Sequence, residues 1–254
     1  DARHLSEVRG EIAFRDVVLS YGRGGPVLDG VSFRIPAGAV YALVGPSGVG
    51  KSTVADLLLR RLDPDAGAVY LDGKDLRELR LGDLRNRIAV VEQETFLWNA
   101  TVEENIRYGN PRARPEEVEN AARAAALHDT IVSFTDGYRT EVGERGLKLS
   151  AGQRQRIAIA RAILQRPTVL VLDEASSALD GEAERSLADA LAHLMRGRTT
   201  LILSHRLALV AKAEWVLVLD GGRIVEEGTV GDLLAGDGTF RRLFGAEVSV
   251  GSRA

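Results

Sequence analysis

A chain of 254 residues can bury one large core or two small ones. Its 33 Lys+Arg against 36 Asp+Glu give a formal charge of -3, so bulk electrostatics offers no reason for a nucleic-acid or anionic-membrane partner. The absence of cysteine excludes disulfides, zinc-thiolate sites and cysteine nucleophiles, and the longest apolar run, residues 39–44, is far short of the roughly 18 to 20 that cross a bilayer. The start, DARHLSEVRG, has no export-signal pattern. These features predict a cytosolic α/β protein.

In chain order, Ile12, Phe14, Val17 and Leu19, then Val31, Phe33 and Ile35, approximate the every-other-residue spacing of half-buried strands. AVYALV at 39–44 does not alternate and reads as a fully buried strand, followed by a glycine-rich loop and a helical pattern at Val54, Leu57, Leu58 and Leu62. From about 94 to 150 the texture is helical, with one helix at 101–107. A second starts at Pro115, whose Glu116 and Glu117 suit a first turn, and continues through the alanines of 121–127. VLVL at 169–172 ends in Asp173 and Glu174, and TLIL at 200–203 in Ser204 and His205. WVLVL at 215–219, a DGGR turn and RIVEE read as a hairpin, followed by two short helices. The fold expected is α/β: a mostly parallel sheet with helices, an N-terminal antiparallel β part and an inserted α-helical subdomain. The sheet core would be 11–92 and 151–245, the insertion 94–150, and 1–10 and 246–254 flexible ends.

The sharpest motif is Gly45, Pro46, Ser47, Gly48, Val49, Gly50, Lys51, Ser52, Thr53, which satisfies GxxxxGK[ST]. Glycines let backbone N–H groups wrap a polyphosphate, the next helix offers its positive end, Lys51 reaches the outer phosphates and Ser52 can ligate Mg2+. A plain glycine-rich turn is the rival, disfavoured by the buried strand before it and the helix after. Asp173 can hold the magnesium while Glu174 polarises the attacking water. Alone, the same pair would equally suit a helix N-cap. His205 could bond a γ-phosphate or the catalytic carboxylate, although a lone histidine is more often a surface or packing residue; His4, His128 and His193 receive no role. Ser150 with Gln153 forms a capping box that opens a helix with Ile157, Ala160 and Leu164 inward. That is either a well-capped core helix or an anion site.

From about Ile12 to Phe244 the chain resembles the nucleotide-binding domain of ATP-binding cassette transporters, with the motifs in the family order. The resemblance implies that Tyr21 stacks on adenine, that Gln93 is the Q-loop glutamine near Mg2+ and the attacking water, and that Leu149–Gln153 is the signature. Ser177 to Asp180 would be the D-loop and His205 the switch histidine. It also implies ATP and Mg2+ as cofactors and a head-to-tail pair of cassettes. In that pair, Lys51, Ser52, Asp173, Glu174 and His205 of one copy meet Ser150, Ala151, Gly152 and Gln153 of the other across the nucleotide. The implied function is the ATPase motor of an exporter-type transporter, partnered by a second nucleotide-binding domain and a transmembrane domain at the cytoplasmic face of the membrane. QETFLWNATVEENI and TEVGERG, which holds Glu144, resemble the exporter type. Phe96, Leu97 and Trp98 would be either a contact patch for the membrane domain or a buried anchor. Two residues depart from the pattern: Ala151, where the commonest signature has Gly, and Glu92, where many relatives have an uncharged residue.

Two other functions fit less well. A cassette ATPase acting on nucleic acid or ribosomes is disfavoured because phosphate loop and signature lie about 100 residues apart without heptads. A regulatory, non-hydrolysing half is disfavoured because Glu174 and His205 are both present.

Overall fold

The computed structural model describes residues 4–5, 7–22, 24–92, 94–175 and 181–251. The chain divides into two compact units, one of residues 1–88, 168–173 and 197–254, the other of 89–167 and 174–196.

The first unit opens with β1 (Ile12–Leu19) and β2 (Leu28–Ile35), then β3 (Val40–Val44) and α1 (Lys51–Leu58). β4 (Ala66–Leu71), β5 (Lys74–Asp75) and α2 (Leu81–Arg87) follow, and β6 (Ile88–Glu92) leads into the second unit. β1 pairs antiparallel with β2 and β4, in the order β2-β1-β4-β5. Phe14 lies opposite Phe33 with ring centroids 4.5 Å apart, the cross-strand contact that the alternating pattern encodes. The register slips after Phe14, where Asp16 adopts a positive φ and its N–H reaches the Ser32 hydroxyl at 2.8 Å. Of the stretch before β1, expected to be flexible up to residue 10, the last residues are held: the Arg9, Gly10 and Glu11 N–H groups donate to the Asp72 carboxylate.

The second unit carries α3 (Val102–Arg107), α4 (Pro115–Ala124), α5 (His128–Val132) and α6 (Ala151–Gln165). The chain then adds β7 (Val169–Asp173) to the first unit and α7 (Gly181–Met195) to the second. β8 (Thr199–Leu203), α8 (Leu207–Val210), β9 (Trp215–Asp220), β10 (Arg223–Gly228), α9 (Val230–Ala235) and α10 (Thr239–Gly251) complete the first. Its five strands in the larger sheet run β10-β9-β3-β8-β7, parallel except for the β9–β10 hairpin. Leu43, Val44, Val171, Leu172, Ile202 and Leu203 are fully buried, which explains why these strands do not alternate. Each such side chain contributes about 1.5–3 kcal/mol relative to exposure.

Three boundaries differ from the sequence expectation. α1 stops at Leu58, short of Leu62, because Arg60 turns left-handed and the Arg60 and Arg61 N–H groups bond the carbonyls of Leu57 and Asp56. α4 ends the same way before Leu127: Ala126 is left-handed, and Leu127 N–H bonds Ala122. At the C-terminus α10 runs to Gly251, through most of the tail expected to fray from 246.

Candidate functional site

The phosphate-loop residues leave β3 and enter α1. Gly45 is obligatory, because a Cβ there would run into the Leu219 carbonyl oxygen. Gly50, the N-cap of α1, has φ 110, and a Cβ on it would come within 2.9 Å of Val27 Cγ1. Lys51 Nζ donates to the carbonyls of Gly45 and Pro46 at 2.8 and 2.9 Å, so the loop closes around its own cation. Tyr21, 55% exposed, sets its hydroxyl 3.3 Å from Thr53 Oγ1, beside the start of α1.

Asp173 ends β7 in register with Leu203, which is in register with Leu43 on the other side. The loop after β3, Asp173 and Ser204–His205 therefore leave the sheet along one edge, the edge that binds ligands in open parallel sheets. Ser204 is fully buried and accepts from Arg206 N–H at 3.1 Å, while His205 is exposed. The Ser52 hydroxyl and Asp173 carboxylate are hard oxygen donors of the kind Mg2+ takes. Among the described residues no three His, Cys, Asp or Glu side chains cluster. Gln93 and the segment Ser177 to Asp180 lie outside the described residues.

In the second unit Glu174 follows Asp173 with φ 49, a left-handed backbone that costs a non-glycine side chain about 1–2 kcal/mol. The signature opens α6 with the expected capping box: Ser150 Oγ accepts from Gln153 N–H at 3.2 Å, and Ser150 N–H donates to Gln153 Oε1 at 2.8 Å. Ser150 and Ala151 are exposed and Gly152 is buried. Arg154 braces the turn by donating to the Leu149 carbonyl at 2.6 Å.

Three residues in this unit receive no role from the sequence. Gln155, 2% exposed, donates to the Ala175 main-chain oxygen. Arg161, whose pKa burial lowers, donates to the carbonyls of Asn105 and Phe96 at 3.0 and 3.2 Å. Buried Asn105 in turn holds both the N–H and the carbonyl of Trp98, at 2.9 and 3.0 Å. A polar residue interrupting an apolar helical face was the available signal for all three.

This frame exposes Phe96, Trp98 and Tyr108 as an aromatic cluster, Phe96 on Trp98 edge to face at 5.0 Å. Leu97 is fully buried, so of the three residues read together it is an anchor and its neighbours are surface. Glu92 lines the cleft of about 160 Å³ beneath them, with Arg161 and Gln165. His128, given no role, sits 2.8 Å from the Tyr138 hydroxyl, whose pKa burial pushes up to about 12.

A family model described as ABC transporter matches residues 28–177. An ATP-dependent lipid A-core flippase of Thiobacillus denitrificans is 49% identical over 249 residues, 97% of this chain and 43% of that protein. An uncharacterized ABC transporter ATP-binding protein of Sinorhizobium fredii is 48% identical over 94% of this chain and 41% of its own length. A mitochondrial iron-sulfur clusters transporter of Neurospora crassa is 45% identical over 97% of this chain and 36% of its own. The solved structure of a bacterial Atm1-family ABC exporter with ATP bound superposes with a TM-score of 0.92 at 42% identity, covering 97% of this chain and 43% of that one. The chain thus spans less than half the length of each of these relatives. Among its described residues no helix is long and apolar enough to cross a membrane. With the phosphate loop, the acidic strand end and the capped signature in one chain and the family model across 28–177, this protein belongs to the ABC transporter family, as an ATP-binding ATPase domain.

Proposed function

We propose that this domain is the motor of an exporter-type transporter, hydrolysing ATP between two head-to-tail copies and driving a transmembrane domain from the cytoplasmic face of a membrane. The observation that carries the reading is the Gly45–Thr53 loop, closed around Lys51 at the sheet edge where Asp173 and His205 also emerge. Loop N–H groups and Lys51 hold the outer phosphates, and Tyr21 stacks on the adenine. Ser52 and Asp173, with Gln93, hold Mg2+, which when bound offsets charge on the phosphates. Glu174 accepts the proton of the attacking water, and His205 holds the γ-phosphate. Ser150, Ala151, Gly152 and Gln153 of the second copy close the site, with Asp180 beside them. Phe96, Trp98 and Tyr108 form the patch offered to the transmembrane domain, an exposed apolar cluster whose backbone Asn105 and Arg161 hold rigid.

Glu174→Gln tests the reading. It should keep ATP affinity within about threefold, lower turnover at least about 100-fold and accumulate an ATP-bound dimer. Turnover at the parent rate would remove Glu174 as the base and the proposed site with it.

A further inference from the structure

On α6 the buried positions Gly152, Gln155 and Ile159 share one face at helical spacing, and Gln155 is the polar member. Its Nε2 donates to the Ala175 main-chain oxygen, and Ala175 is fully buried. That carbonyl lies beyond the end of β7 and outside any helix, so a side chain supplies the donor that a ladder would otherwise give. The residue before it is Glu174, in the left-handed region at φ 49. A non-glycine residue stays there when its surroundings hold the chain on either side, and the Ala175 carbonyl, in the next peptide on, pins the exit of the turn.

We propose that Gln155 is a positioning residue for Glu174: by anchoring the Ala175 carbonyl it locks the left-handed turn that aims the Glu174 carboxylate. The proposal rests on Glu174 being the base. The amide orientation follows from its partner, since a carbonyl accepts only and the side-chain nitrogen must face it. Gln155 stands three residues after Gly152 of the signature, so the same helical turn carries the residues offered to a second copy and the anchor of this copy's own base. Without the donor the buried carbonyl seeks another partner, the Ala175 peptide rotates and the carboxylate moves. A displacement of about 1 Å at a reacting group costs on the order of 100-fold in rate.

The test uses the purified chain with Gln155→Met, which keeps the length and removes the amide. The expected result is kcat at least about tenfold lower with the ATP KM within about twofold, and an ATP-bound dimer accumulating as for Glu174→Gln. Placed on Glu174→Gln, the same change should have no further effect on residual turnover, because its target is already gone. Gln155→Glu, isosteric and without a donor at neutral pH, should behave like Gln155→Met. The proposal is overturned if kcat stays within about twofold of the parent, or if kcat and ATP affinity fall together with no dimer. An equal further loss in both backgrounds also overturns it, as does failure of both Gln155 variants to fold, which would make the contact a folding element. If Glu174→Gln turns over at the parent rate, the role of Glu174 fails first; if that variant is inactive and Gln155→Met is not, only the role of Gln155 fails.

Discussion

The phosphate loop and the signature are both helix starts, and they handle their first turns in opposite ways. α1 begins at Gly50 with no side-chain cap, its approach stiffened by glycine geometry and by Lys51 on the Gly45 and Pro46 carbonyls. α6 begins at Ser150 with a complete side-chain box. In the box the Gln153 N–H is already engaged by Ser150 Oγ, so the end offers a hydroxyl and the remaining first-turn groups instead of a bare ring of N–H donors. Neither helix has an acid in its first turn, whereas α3 carries Glu103 and Glu104 there and α4 carries Glu116 and Glu117. A helix start with an internal carboxylate has its dipole answered from within, whereas α1 and α6 carry no such carboxylate. The contrast fits the proposed division of labour, in which the loop of α1 wraps a polyphosphate and the start of α6 makes a single contact from the side.

The largest effect should come from breaking the wrapped end. Gly45→Ala puts a methyl group against the Leu219 carbonyl at a position where only glycine fits. The loop must move off the sheet edge, and ATP affinity measured by calorimetry should fall at least about 100-fold, or about 2.7 kcal/mol. Retained affinity would show that the loop can rebuild around a side chain, and the division of labour would lose its geometric basis. Ser150→Ala strips the other end. Loss of the cap should cost about 1 kcal/mol of stability, read as a small drop in thermal midpoint. ATP affinity of the separate domain should stay within about twofold while turnover falls about tenfold. An affinity loss as large as that of Gly45→Ala would make the two ends equivalent.

The parts legible in the sequence were those that a local rule specifies. Non-alternating apolar runs marked β3, β7 and β8 because they are buried on both faces, and Ser150 with Gln153 marked the start of α6 because a capping box is a short-range device. Helix ends were less legible. α1 and α4 close on left-handed Arg60 and Ala126, where no glycine announces the stop. Leu97 and its aromatic neighbours could not be sorted by hydrophobicity alone, since all are apolar; Asn105 and Arg161 decide which side chain turns inward by fixing the backbone around them. Gln155 stands out in the sequence only as a polar residue on an apolar helix face; its partner and the turn at Glu174 do not, because a bond from α6 to Ala175 joins residues 20 apart that no spacing rule connects.

The smallest expected effect separates the capped helix starts from one another by chemistry. At α3 the reciprocal bond comes from a carboxylate, Glu104 Oε2 accepting from Thr101 N–H at 2.8 Å; at α6 it comes from the neutral amide of Gln153. The Thr101 N–H and hydroxyl hold Glu104 below its usual value of 4.5. Since the folded value is the lower one, this contribution is complete above pH 4.5 and is lost as pH falls through the folded value. Glu117, lowered chiefly by the Arg114 N–H, moves in the same direction at α4. Between about pH 6 and about pH 3, amide exchange at Thr101, corrected for its intrinsic rate, should therefore accelerate while exchange at Ser150 should not. Glu104→Gln should remove the acceleration at Thr101 without touching Ser150. Equal acceleration at both would mean that the unit opens as a whole before its caps titrate. A start held by an amide keeps its geometry as pH falls, because Gln153 has no carboxylate to protonate over that range.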